Sequence, residues 1–304
     1  MTVATRARHA LEIAVGARDR RSPRAERLLL AVAAVLFVAI TALSLSDLPP
    51  LGDAARWWLL APAALLSVVG TALNGGEVWL GARLHGAKVQ PRVAFSTSAL
   101  SSAANLMPVP GAALVKVRAL RQHGLGTGVA VRATAGLGII WVGLGVLLAG
   151  LLQLGSNPTA GLIAGLVGLV TTAAGLASLG RTTWRRRVEA VALELASVVA
   201  TTLRLTLVLA ALGFGGGVTD AAALAAAGIV ASAAGVFPGG LGLRELLSGL
   251  TAGLVGLEPA IGVVVAAVDR MLTLAVLALL SAVLVATGSA DVDADDGEVG
   301  EPCE

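Results

Sequence analysis

Residues Ser232–Leu246 read SAAGVFPGGLGLREL, an apolar segment that stops at a proline and two glycines and restarts with an arginine beside a glutamate. Pro238 lacks an amide hydrogen and restricts the residue before it, so it ends a helix. Gly239 and Gly240 permit a tight turn and leave the backbone bare. The stretch therefore predicts two short helices with a break between them, the second helix starting at about Gly240.

The chain around this break is too apolar to fold in water. It has 304 residues, of which 56% are hydrophobic and 13% are charged, whereas about 25% are charged in a typical soluble domain. Several apolar runs reach the roughly 20 residues that cross a bilayer. We predict an all-α integral membrane protein with about six full spans. The spans are 28–46, 57–81, 133–154, 159–180, 188–213 and 259–287.

Positive charge orients these spans. Of the 22 Lys and Arg residues, 18 fall in the segments 1–27, 82–92, 112–132 and 181–187. All four segments lie on one side when the spans are taken in order, and the positive-inside rule makes that side the cytoplasm. We therefore predict a plasma-membrane protein with both termini cytoplasmic. Because the basic residues follow the membrane topology, we expect no nucleic-acid partner.

The chain divides into three parts. We predict that residues 1–27 form a basic cytoplasmic tail, that 28–287 form the transmembrane domain, and that 288–304 form an acidic, disordered tail. The one cysteine, Cys303, excludes an internal disulfide and a cysteine-cluster metal site. The three histidines are scattered among basic loop residues, so we expect no metal and no cofactor.

Two apolar segments, 93–122 and 220–255, do not fit the spanning pattern because PVPG interrupts the first and PGG the second. A helix of 15 residues rises only about 22 Å, less than the roughly 30 Å hydrocarbon core. We therefore predict that each segment is a re-entrant helical hairpin. Two short full spans in each segment are the alternative, and they give the same distribution of loop charge.

The two hairpins share a sequence repeat. SAANLMP at Ser102–Pro108 matches SAAGVFP at Ser232–Pro238 with an offset of 130 residues. Three predicted spans separate the hairpins, so they enter the membrane from opposite sides. This arrangement predicts an inverted repeat whose halves are about 57–154 and 188–287, with the broken helices meeting at a substrate site near the midplane.

The interrupted helices provide a site for an anion. A helix that starts inside the membrane presents unpaired N–H groups and the positive end of its dipole, which bind phosphate. We expect such starts at Gly111 and Gly240. Arg244 adds a planar fork of donors, and Arg118 follows Gly111 in the first hairpin. Glu245 is expected to hold Arg244 or another basic group, or to take up a proton.

Further ionisable residues lie at membrane depth, where each costs several kcal/mol unless it is paired or hydrated. For Arg204, Asp269 and Arg270 we favour a functional role, in which they line the substrate path or carry coupling protons. Ion pairs that only fix helix packing are the alternative. For Glu77 and Glu194, which lie nearer the cytoplasmic ends, the packing role is favoured.

The motif FPGGLGLRE resembles the Pro-Gly-Gly-Leu/Ile-Gly-x-Arg-Glu signature of the lysylphosphatidylglycerol synthase transmembrane-region family, which has flippase-like membrane domains. The matching positions are Pro238, Gly239, Gly240, Gly242, Arg244 and Glu245. The first hairpin, PVPGAALVKVR, keeps the family's Pro108, Gly111 and Arg118 but has Ala112 where the family has an acid. The resemblance covers about 28–287, and it implies movement of a phospholipid or polyprenyl-phosphate-linked lipid between leaflets.

We therefore predict a lipid transporter of flippase-like type and not an enzyme. The predicted substrate-binding residues are Gly111, Arg118, Arg204, Pro238, Gly239, Gly240, Gly242, Arg244, Glu245, Asp269 and Arg270. The main alternative is a non-transporting scaffold that partners a cell-envelope glycosyltransferase or a lipid-modifying enzyme. A membrane enzyme acting on lipid phosphates is disfavoured, because the sequence has no recognisable nucleophile or metal motif.

Overall fold

A computed structural model describes residues 55–104, 111–180, 182–234 and 242–286 of the chain. The predicted first span at 28–46, both terminal tails and both predicted helix breaks lie outside these residues. The described part is helical and contains no strand, which confirms the all-α class.

Nine α-helices follow one another within the described ranges, and a short 3-10 turn at Trp57–Leu59 leads into the first. The helices are α1 (Leu60–Leu84), α2 (Pro91–Ala104), α3 (Gly111–Gln122), α4 (Thr127–Gln153), α5 (Pro158–Ser178), α6 (Trp184–Ala211), α7 (Val218–Ala234), α8 (Leu243–Leu254) and α9 (Pro259–Ala286). Five of them, α1, α4, α5, α6 and α9, are long and apolar enough to cross a membrane. They correspond to five of the six predicted spans.

The other four helices are short. Within the described ranges they have 14 residues in α2, 12 in α3, 17 in α7 and 12 in α8. At 1.5 Å per residue they are about 18–26 Å long, less than the roughly 30 Å hydrocarbon core. They form two consecutive pairs, α2 with α3 and α7 with α8, at the two segments where the sequence predicts hairpins.

The order of helices repeats along the chain as long, short, short, long. It occurs first in α1–α4 and again in α6–α9, and α5 lies between the two sets. The sequence repeat has an offset of 130 residues. Helices α4 and α9 begin at Thr127 and Pro259, an offset of 132 residues.

Helices α1 and α6 lie side by side and antiparallel. At one end the backbone N–H of Arg56 donates to the carbonyl of Ala211 at 2.9 Å. At the other end Arg186 Nη1 donates to the carbonyl of Leu84 at 3.1 Å. The end of α1 and the start of α6 therefore lie on the same side of the molecule, as the distribution of basic residues predicts.

The two sets of four helices pack in matching ways. Within each set the first helix contacts the second and fourth, and the third contacts the second and fourth. Between the sets, α1 contacts α6, α4 contacts α7 and α6, and α9 contacts α2 and α1. These contacts correspond to one another when the two sets are exchanged. The α4–α7 contact corresponds to α9–α2, the α4–α6 contact corresponds to α9–α1, and the α1–α6 contact corresponds to itself.

Glycines let α4 and α5 approach closely. They recur every seven residues on both helices, at Gly136, Gly143 and Gly150 of α4 and at Gly161, Gly168 and Gly175 of α5. A Cβ atom added at Gly168 would lie 2.3 Å from the backbone nitrogen of Leu147. Contacts of this kind are typical of helices packed in a membrane. The opposite face of α5 exposes apolar side chains such as Leu166 and Val170, which suits a surface against lipid.

Candidate functional site

Three helices bring five charged residues together inside the protein. Arg204 comes from α6, Arg244 and Glu245 come from α8, and Asp269 and Arg270 come from α9. The two carboxylates are 0% exposed, and the three arginine side chains are 7–16% exposed. We call these five residues the charge cluster.

Asp269 is the centre of the charge cluster. Its Oδ1 accepts a hydrogen bond from Arg204 Nε at 2.5 Å, and its Oδ2 accepts one from Arg204 Nη2 at 3.1 Å. Arg244 Nη2 donates a further hydrogen bond to Oδ2. Paired contacts from one guanidinium are strong and directional. Asp269 therefore ties α6, α8 and α9 together.

Glu245 has two roles at the start of α8. Its Oε1 lies 3.1 Å from Arg270 Nε, and its Oε2 accepts the backbone N–H of Gly242 at 2.8 Å. The basic group that it holds is thus Arg270, and its neighbour Arg244 pairs with Asp269 instead. Gly242 has φ +77°, a conformation that favours glycine and is not helical. The helix therefore begins at Leu243, three residues later than the predicted start at Gly240.

Among the residues that the structure describes, the charge cluster has one excess positive charge, because three guanidiniums face two carboxylates. Arg244 Nε is buried and has no hydrogen-bond partner among the residues that the structure describes. It lies against α7 at Gly228, where an added Cβ atom would be 3.1 Å from this nitrogen. An uncompensated cation at membrane depth costs several kcal/mol. A bound anion would offset that cost, and a guanidinium fork matches the geometry of phosphate.

The charge cluster lies well inside the spanning helices. Asp269 is ten residues after the start of α9 at Pro259, and Arg204 is seven residues before the end of α6 at Ala211. At 1.5 Å per residue these positions are about 15 Å and about 10 Å from the helix ends. These charges therefore lie too far from the helix ends to be solvated by water at the membrane surface.

A second group of charges lies about 15 Å nearer the start of α6, since Glu194 precedes Arg204 by ten residues. Glu77 of α1 and Lys116 of α3 form an ion pair there. Glu194 is 0% exposed, and neither of its carboxylate oxygens has a hydrogen-bond partner within the described ranges. We call Glu77, Lys116 and Glu194 the Lys116 cluster.

The structure brings together six of the predicted site residues: Arg204, Gly242, Arg244, Glu245, Asp269 and Arg270. The described part of α3 begins at Gly111, directly after residues that the structure does not describe. Arg118 does not join the cluster, since its side chain is exposed. Pro238, Gly239 and Gly240 lie outside the described residues.

Two residues of these sites, Lys116 and Gly228, were not predicted from the sequence. The basic residue that α3 places in the interior is Lys116, which follows Gly111 by five residues, much as Arg244 follows Gly240 by four. That similarity of spacing is the signal that favours Lys116 over Arg118. Gly228 of α7, which makes room for Arg244, has no signal of its own in an alanine-rich helix.

A scan against models of known protein families finds no match, and a search of curated proteins finds no significant match. The resemblance to the lysylphosphatidylglycerol synthase transmembrane-region family therefore stays a prediction. Of the motif residues that carry it, Gly242, Arg244 and Glu245 lie in the described part of the chain.

Proposed function

We propose that the protein is a flippase-like transporter that moves an anionic lipid, a phospholipid or a polyprenyl-phosphate-linked lipid, between leaflets. The observation that carries the proposal is the excess positive charge of the charge cluster, buried within the spanning helices. The phosphate of a lipid headgroup would supply the missing negative charge. Arg244 would bind it directly, with the donor Nε that has no partner among the described residues.

The short helix pairs are, in this proposal, two re-entrant hairpins. Their described lengths of 12–17 residues support this reading, because none of these described parts matches the thickness of the hydrocarbon core. Three spanning helices, α4, α5 and α6, separate the pairs, so the hairpins would enter from opposite sides. The matching contacts of α1–α4 and α6–α9 support an inverted repeat.

The headgroup would pass between the two halves while its tails stay in lipid. Helix α9 contacts α2 of the first hairpin and α8 of the second, so it would line the path in both halves of the inverted repeat. With the basic segments in the cytoplasm of a plasma-membrane protein, the charge cluster lies toward the outer leaflet and the Lys116 cluster toward the inner leaflet. Rocking one half against the other would change access.

Lipid movement by the full chain in vesicles tests this proposal. The vesicles carry a headgroup-labelled anionic phospholipid or polyprenyl phosphate, and a membrane-impermeant quencher reports which leaflet the label occupies. Arg244→Gln removes the excess charge but leaves Asp269 bonded to Arg204. A hydrogen bond to a charged group contributes about 1.5–3 kcal/mol, so we expect movement to slow by about 10- to 100-fold.

Arg185→Gln is the matched control, because Arg185 is exposed at the start of α6 and pairs with Glu189 at 3.3 Å. Its rate should equal that of the unmodified protein. If Arg244→Gln moves every tested anionic lipid at the unmodified rate, the charge cluster is not a headgroup site and the proposal is wrong.

A scaffold for a cell-envelope glycosyltransferase or a lipid-modifying enzyme is the second candidate. The observation that favours it is that each carboxylate of the charge cluster already has an arginine partner, which is all that a packing role requires. This function predicts no lipid movement by the unmodified protein in the vesicle assay, together with a stable complex with such an enzyme.

A further inference from the structure

The Lys116 cluster contains a buried carboxylate without a counter-charge of its own. Glu194 is 0% exposed and has no hydrogen-bond partner in the described part of the chain, whereas Glu77 holds Lys116. Glu77 and Lys116 lie close enough to Glu194 to act on it electrostatically.

Close packing places the two glutamates at the same level of the helix pair. Helices α1 and α6 approach so closely that a Cβ atom added at Gly76 would lie 2.9 Å from Leu193 Cδ1. Gly76 directly precedes Glu77, and Leu193 directly precedes Glu194. One ammonium group on α3 therefore lies within electrostatic range of two carboxyl groups, one on each of two tightly packed helices.

The charge balance of this cluster requires one proton. With both glutamates ionised and Lys116 charged, the cluster would carry a net charge of −1 in a buried site. An ionised carboxylate without a partner costs several kcal/mol there, and the group becomes neutral instead. One proton on one glutamate makes the cluster neutral as a whole.

We propose that Glu77 and Glu194 share one proton and that Lys116 pairs with whichever of the two is ionised. In the observed arrangement Lys116 pairs with the ionised Glu77, and Glu194 holds the proton on a carboxyl oxygen. In the second arrangement the O–H bond at Glu194 breaks, an O–H bond forms at Glu77, and the Lys116 ammonium moves to Glu194. The proton and the net charge of zero are conserved in the exchange.

Other charges on the helices around Glu194 are engaged elsewhere. On α1, Arg83 lies over a tryptophan ring at 4.4 Å. On α4, Arg132 donates to a carbonyl of its own helix at 3.2 Å, and at the start of α7 Asp220 accepts a backbone N–H at 2.9 Å. On α9, Asp269 and Arg270 belong to the charge cluster. The remaining charged residues of α6 itself are Arg185, Arg186, Arg187, Glu189 and Arg204.

The exchange would move α3. Lys116 lies on that helix, five residues after Gly111, so a change of ion-pair partner pulls α3 from α1 toward α6. Coupling of this movement to lipid transport rests on the proposed function. The shared proton itself does not, and the experiment that follows requires no lipid movement.

Infrared spectroscopy of the full chain in lipid nanodiscs, with ¹³C-labelled glutamate side chains, measures the carbonyl band of a buried protonated carboxyl group. The unmodified protein should show this band at neutral pH, and Glu194→Gln should lose it. Glu77→Gln should lose it too, because Lys116 then pairs with Glu194 and keeps it ionised. Lys116→Met should roughly double the band, since both glutamates then bind protons.

Glu189→Gln is the control, since this partly exposed glutamate on the same helix should leave the band unchanged. A full band in Glu194→Gln would overturn the assignment of the proton. An unchanged band in Glu77→Gln would overturn the exchange of Lys116. If Glu194→Gln does not fold, the loss of the band in Glu77→Gln and its increase in Lys116→Met still test the shared proton.

Discussion

Replacing Asp269 with asparagine tests the ion pairs that join α6, α8 and α9. The carboxylate is 0% exposed and accepts three hydrogen bonds from two arginines. Asparagine keeps the shape but removes the negative charge, so three buried guanidiniums would face the one remaining carboxylate. Removing one partner of a buried pair costs about 3–5 kcal/mol. We expect Asp269→Asn to lower the free energy of unfolding by about 3 kcal/mol, the lower end, because the amide oxygen still accepts one hydrogen bond.

The loss can be measured by equilibrium unfolding in mixed micelles, with helix content followed by circular dichroism as a denaturing detergent is added. Glu189→Gln is the matched control, because it removes an exposed ion pair that contributes at most about 1 kcal/mol. Adding Arg204→Gln to Asp269→Asn should recover part of the loss, since it removes one uncompensated cation. A loss no larger than that of the control, with no recovery in the double variant, would refute the reasoning.

Three further predictions concern packing, backbone and titration. Gly168→Ala should lower the unfolding free energy by about 1–3 kcal/mol or more, because its Cβ atom would lie 2.3 Å from a backbone nitrogen of α4. Gly165→Ala is the control and should not lower it, because the space around Gly165 is open. Gly242→Ala should lower it by about 1–2 kcal/mol, because φ is +77° there; an unchanged detergent midpoint would contradict this. Burial, with two neighbouring arginines, holds the pKa of His85 below its ordinary value of 6.5. The folded state therefore binds a proton at His85 less readily than the unfolded state does. The contribution of His85 to the free energy of unfolding is complete above the ordinary pKa and falls as the pH drops through the lowered pKa. His85→Asn should therefore lose less unfolding free energy than the unmodified protein between neutral and mildly acidic pH.

Hydropathy predicted the spanning helices because lipid tolerates only long apolar segments with satisfied backbones. The ends were less accurate. Helix α4 begins at Thr127, six residues before the predicted start of its span, because the helix continues beyond the apolar run into a basic turn that hydropathy assigns to a loop. The pairs of short helices were predicted from proline and glycine, which interrupt helices whatever surrounds them.

The contacts within the charge cluster could not be predicted in the same way. Hydropathy gives the depth of a residue but not the direction in which its side chain points, so Arg244 and Glu245 could be placed at a site without their partners. The sequence did contain an indication of these partners. Arg244–Glu245 is a basic residue followed by an acidic one, and Asp269–Arg270 is an acidic residue followed by a basic one, so opposite charges pair when the two helices meet. The glycines spaced by seven on α4 and α5 were a second readable pattern.

The position of a bound lipid phosphate tests the central claim most directly. Solid-state NMR of the full chain in bilayers of the anionic lipid that co-purifies with it can measure the dipolar coupling between lipid ³¹P and ¹³C-labelled arginine guanidinium carbons. We expect a coupling that is present in the unmodified protein, is lost in Arg244→Gln and is retained in Arg185→Gln. A coupling that is unaffected by Arg244→Gln, or the absence of any coupling to a buried arginine, would contradict that claim.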